Sequence, residues 1–90
     1  MLKLFRATAF KKDFKKAEKQ ERPLDQLKEI ILLLAQQKPL PKKLKDHALI
    51  GNYKGYRECH ILPDWLLIDK CEGDTLFLVR LGLMQIYFKG

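Results

Sequence analysis

The sequence predicts an α+β fold in which an N-terminal strand and two helices precede a three-stranded antiparallel meander, with both helices packed on one sheet face. Three observations carry this reading. Apolar residues recur at helical spacing from Phe10 to Leu34, and the pair Pro39 and Pro41 interrupts the chain. From Tyr56 onward, segments rich in leucine, isoleucine and aromatic residues alternate with short turns.

Met1 to Ala7 sets Leu2, Leu4 and Arg6 against Lys3, Phe5 and Ala7, the period-two pattern of a short opening strand. Thr8 is placed to cap a helix whose Phe10, Phe14 and Ala17 share one face, while Lys11, Lys12, Lys15, Lys16 and Lys19 occupy the other. Glu21-Arg22-Pro23 breaks this helix. Pro23 then stands near the first turn of a second one, whose stripe of Leu24, Leu27, Ile30, Ile31 and Leu34 reads as core. Lys38-Pro39-Leu40-Pro41 ends it, because proline supplies no N–H to the helical ladder, and a loop is expected to about Lys54. Tyr56 to Leu62, Trp65 to Cys71 and Thr75 to Leu81 read as strands joined by Pro63-Asp64 and by Glu72-Gly73-Asp74. Turns this short force neighbouring strands to run antiparallel. Leu83 to Phe88 fits neither period.

Ninety residues suit a single domain spanning 1–90, and 47% hydrophobic with 32% charged residues is the composition of a folding chain. The longest nearly apolar stretch, Ile30 to Ala35, falls far short of the ~20 residues that cross a bilayer, and no signal-peptide pattern opens the sequence. A cytoplasmic location and no membrane partner are expected. The formal charge of +7 attracts phosphate backbones or acidic protein surfaces and does not choose between them. Cys59 and Cys71 lack the spacing of a redox or zinc motif, so free buried thiols, no metal and no cofactor are expected.

The stretch from Lys45 to Ile68 carries three linked patterns: Lys45-Asp46-His47 leading to Leu49 and Gly51, Tyr53-Lys54-Gly55-Tyr56-Arg57 entering a strand, and Glu58-x-His60 followed by Pro63-Asp64-Trp65. At this spacing they resemble the YafQ branch of the RelE bacterial toxin family, and the element order above matches that family along almost the whole chain. The resemblance implies an endonuclease that cuts messenger RNA on the ribosome and is neutralised by a cognate antitoxin. It further implies that His47, Glu58, His60 and Asp64 hold polar active-site positions, and that Phe88 is the aromatic residue near the family's C-terminus.

Ribonuclease chemistry without a metal needs a base for the 2′-hydroxyl, positive charge at the scissile phosphate and an acid for the departing 5′-oxygen. Histidine suits either proton role because it titrates near neutrality. Arg57 or Arg80 is a candidate to hold the phosphate, His60 or Glu58 to act as base, and His47 to orient the RNA or a neighbouring side chain. Structural roles compete: His47 can serve only the turn after Asp46, His60 can be a satisfied strand histidine, and Asp64 suits turn geometry by itself.

The pattern breaks at the C-terminus. The family resemblance implies Arg-x-Gly-[Ser/Thr]-His in the last strand, with the histidine as general acid, and this chain reads Arg80-Leu81-Gly82-Leu83-Met84. A thioether gives up no proton, and general acid–base help is worth ~10²–10⁴ in rate. Asp69 also stands where the resemblance implies a tyrosine. Asp69, Leu83, Met84, Ile86, Tyr87 and Phe88 would then rim the former cleft with apolar surface, which suits a protein partner, such as an acidic one, better than RNA. The plainer reading is that Leu83, Ile86 and Phe88 close the core. The leading expectation is therefore a protein-binding module on the toxin scaffold, natural or engineered, with its endonuclease activity lost or strongly reduced. The alternative is a ribosome-dependent mRNA endonuclease of a type II toxin–antitoxin system, with an antitoxin and ribosome-bound mRNA as partners.

Overall fold

A computed structural model describes residues 1–49 and 54–83. Strand β1 (Lys3–Arg6) is followed by helices α1 (Thr8–Lys19) and α2 (Leu24–Ala35), a 3-10 turn (Lys42–Leu44), and strands β2 (His47–Ala48), β3 (Arg57–Leu62), β4 (Trp65–Glu72) and β5 (Thr75–Leu83). The strands form one five-stranded sheet in the order β1-β5-β4-β3-β2. The α+β class and the antiparallel meander β3-β4-β5 are as the sequence predicts.

Other features were not predicted or differ from the expectation. β1 lies parallel to β5 at one edge, with Arg6 opposite Leu78 as the last pair. β2 falls inside the expected loop and pairs with β3 at the other edge, His47 opposite Glu58 and Ala48 opposite Arg57. Thr8 is also not the cap of α1: it is the first helical residue, and Ala7 precedes it with extended backbone and no side-chain cap. Ala7 is fixed there because its N–H donates to the Leu78 carbonyl while its own carbonyl accepts the Lys11 N–H, so the chain passes from sheet to helix at one residue.

Both helices bury their apolar stripes against one face of the sheet. Phe10 and Ala17 of α1 and Leu27 and Ile30 of α2 join Cys59, Ile61, Trp65, Leu67, Leu76, Leu78 and Leu81 in the core. Strand alternation then dictates what lies on the other face: Glu58 and His60 on β3, with Leu66 and Ile68 beside them on β4. Gly73, at φ 60, occupies the first central position of the β4-β5 turn, a left-handed conformation that glycine adopts without steric cost.

Alternation also corrects two expectations. Asp69 pairs with Arg57 and Leu78, on the face of Cys59 and Leu67, and is only 2% exposed, so it cannot centre an exposed binding surface. Arg57 lies on the same face, away from Glu58, and its Nε donates to Asp46 at 3.2 Å. Of the thiols, Cys59 is buried as expected, whereas Cys71, near the end of β4, is exposed. Burial and the nearby Asp69 carboxyl push Cys59 up to about 12.

Candidate active site

The Glu58-x-His60 spacing puts both side chains on the face of β3 turned away from the helices, and β2 brings His47 directly opposite Glu58. Lys45, at φ 49, turns the chain into β2, and its carbonyl accepts a hydrogen bond from His47 Nδ1 at 2.6 Å. His60 Nδ1 points at the Pro63 carbonyl at 3.3 Å. Both rings therefore turn Nε2 toward the same carboxylate: Glu58 Oε1 lies 3.1 Å from His60 Nε2 and 3.7 Å from His47 Nε2. The ring centroids are 6.3 Å apart.

At this distance the Nε2 of His60 meets Glu58 either as a donor, in the Nε2–H tautomer or the imidazolium, or as acceptor from a protonated carboxyl. One proton lies in that contact in each case. Glu58 and His60 are nearly enclosed, with side chains 5% and 11% exposed, while His47 is 51% exposed. The cluster is thus a buried proton-holding pair with one imidazole at the surface. A groove of about 500 Å³ beside it is walled by Lys43, Leu44, Lys45, His60, Ile61 and Leu62, which offers cationic and apolar contacts side by side.

Arg80 falls in the same row across the sheet, paired with Ile68, which pairs in turn with Glu58. Its guanidinium turns to Asp13 of α1, Nε donating to Oδ2 at 3.0 Å and Nη2 to Oδ1 at 3.3 Å. Sequence reasoning missed Asp13. The one signal was a lone acid inside the lysine-rich run from Lys11 to Lys16.

Asp64 is exposed in the turn between β3 and β4, and no hydrogen bond or ion pair among the described residues joins it to Glu58 or His60. Leu83, half-buried, pairs with Trp65 at the end of β5. Met84, Ile86, Tyr87 and Phe88 lie outside the described residues, as do Ile50 to Tyr53. Among the described residues no group of three or more His, Cys, Asp or Glu side chains is arranged to hold a metal ion, and no helix is long and apolar enough to cross a membrane.

Known proteins resemble this chain in sequence and fold along nearly its whole length. The mRNA interferase toxin YafQ of Escherichia coli strain K12 is 42% identical over 80 residues, spanning 88% of this chain and 87% of that protein. A copper-bound mutant toxin from Helicobacter pylori superposes with a TM-score of 0.95 at 42% identity, covering 98% of this chain and 100% of that one. A chain of the E. coli DinJ-YafQ toxin–antitoxin complex superposes at 0.89 with 36% identity, covering 99% and 100%. The family of bacterial toxins of type II toxin–antitoxin systems described as YafQ matches residues 2–88. With the motifs around His47 and Glu58, the sheet order and the full-length match in agreement, the chain belongs to the YafQ toxin family.

Proposed function

We propose that the chain is a ribosome-dependent mRNA endonuclease, the toxin of a type II pair, and that an antitoxin is its physiological protein partner. The observation that carries this reading is the His47-Glu58-His60 cluster, a proton-holding group beside a cationic groove. The mRNA interferase name of the E. coli relative and the DinJ-YafQ complex favour it over a binding module with lost activity, natural or engineered. The buried position of Asp69 removes one residue from the surface that the binding reading required.

In the proposed reaction the Glu58-His60 pair accepts the proton of the RNA 2′-hydroxyl. The freed oxygen attacks the adjacent phosphorus, and the bond to the departing 5′-oxygen breaks. His47, the exposed member, gives that oxygen its proton. Its distance from His60 suits two groups flanking one phosphate, and Met84, where the resemblance implies a histidine, leaves this task to it. Arg80 faces the charge that develops on the phosphoryl oxygens.

Growth and message stability test the proposal. Induced expression of the chain in a bacterial host without antitoxin is expected to arrest growth and shorten the half-life of translated messages. His47→Ala should slow cleavage by roughly 10²-fold and relieve the arrest. If the unaltered chain accumulates to high level with message half-lives unchanged, the endonuclease reading fails.

A further inference from the structure

β1 accompanies β5 only as far as Leu78, because the chain turns at Ala7 into α1. Beyond that point Asp13, in the second turn of α1, takes the place of a strand. Its Oδ2 accepts the Leu81 backbone N–H at 3.0 Å, and the same carboxylate holds Nε and Nη2 of Arg80. The ladder between β4 and β5 shifts register beside this point, with Ile68 opposite Arg80 and Asp69 opposite Leu78, so Val79 is the extra residue of a bulge. Bulges re-aim the side chains next to them. Here the side chain that follows is Arg80, and Asp13 fixes where it goes.

We infer that Asp13 is a positioning residue for the RNA-cleaving reaction: it locks the guanidinium of Arg80 in one plane, so that Arg80 meets the scissile phosphate in a fixed orientation. This inference rests on the endonuclease reading above. A carboxylate that bonds Nε and one Nη of arginine fixes the whole planar fork, which a single contact does not do. The surrounding Lys11, Lys12, Lys15 and Lys16 are exposed, and draw RNA at long range without holding any phosphate in place. Asp13 is unlike them: its side chain is 14% exposed and turned to the sheet, while the Arg80 side chain that it holds remains 39% exposed. Charge at the phosphate counts most when its geometry is set before the reaction begins.

Asp13→Asn separates positioning from anchoring. The amide oxygen still accepts the Leu81 N–H, but an amide offers no second acceptor to the arginine fork. Single-turnover cleavage of ribosome-bound mRNA should be measured for the unaltered protein, Asp13→Asn, Arg80→Ala and the double variant, with thermal unfolding of each. The expected result is a loss of roughly ten- to a hundred-fold in the rate at saturating ribosomes for Asp13→Asn. The half-saturating concentration should change less than about threefold, the melting temperature should stay near that of the parent, and Arg80→Ala should lose nothing further on adding Asp13→Asn. Asp13→Glu, which keeps the charge but moves it by one methylene, is expected to lose rate only when Arg80 is present, and serves if the asparagine variant fails to fold. Parental rates in both Asp13 variants, or losses that multiply with that of Arg80→Ala, would overturn the inference while leaving the endonuclease reading intact. Absence of cleavage by the unaltered protein would remove that reading, and this inference with it.

Discussion

Glu58→Gln is expected to slow cleavage of ribosome-bound mRNA by about 10²–10⁴-fold, the range over which positioned acid–base groups act. Glutamine keeps the size of the side chain and can still accept a hydrogen bond, but it neither carries charge nor takes up a proton near neutral pH. Both imidazoles then face an uncharged amide in place of the carboxylate near their Nε2 atoms, at 3.1 Å for His60 and 3.7 Å for His47. Because Glu58 is 4% exposed and paired with His60, thermal unfolding of the variant beside the parent separates a loss of chemistry from a loss of fold. Purified proteins compared in a translating extract give the ratio of rates. A variant that cuts within about threefold of the parent would place the proton chemistry elsewhere.

Asp69→Asn is expected to stabilise the protein increasingly as pH rises. Burial first, and then the nearby Asp46 carboxylate, raise Asp69 from its ordinary value near 3.8 up to about 7, although Arg57 pulls the other way. Its Oδ1 has no hydrogen-bond partner among the described residues. Below about pH 4 the carboxyl is neutral in both the folded and the unfolded chain. Between 3.8 and about 7 the unfolded chain releases the proton and the folded one keeps it, so folding stability falls as pH rises, and it levels off above 7. At ~1.4 kcal/mol per pH unit the full penalty is about 4 kcal/mol. Asparagine does not titrate. The stability difference between variant and parent should therefore widen by roughly 2–3 kcal/mol from pH 5 to pH 8 in urea unfolding, while the histidines contribute equally to both proteins. A difference that stays constant with pH would show that Asp69 is not a neutral acid in the folded state.

The legible parts of the fold were those with a repeating local pattern. The stripes of α1 and α2 and the strands β3 to β5 each repeat a period several times, and Pro63-Asp64 and Gly73-Asp74 mark their turns. β2 was not legible because two residues carry no period; only the partner strand makes His47-Ala48 a strand. The parallel pairing of β1 with β5 is equally silent in the sequence, since an edge strand shows neither its neighbour nor its direction.

For the site, Glu58 and His60 were legible as a pair, because a separation of two residues on a strand means one face. The same rule, applied across the ladder, would have turned Arg57 away from Glu58. Placing Asp69 beneath the sheet needed the pairing register as well. Asp13 needed more still, namely that α1 passes the edge of β5 beyond the reach of β1. Long-range register, rather than residue chemistry, separated the residues that the sequence revealed from those it hid.

The chemistry of the cut ends tests the account most directly. When the unaltered protein acts on an mRNA in a reconstituted translation reaction, attack by the 2′-hydroxyl through the His47-Glu58-His60 cluster predicts cuts that require ribosomes. These cuts should leave a 2′,3′-cyclic or 3′-phosphate on one fragment and a 5′-hydroxyl on the other. Fragments bearing a 5′-phosphate and a 3′-hydroxyl would mean that water, not the 2′-hydroxyl, attacks, and intact message would mean no endonuclease at all; either result contradicts the account.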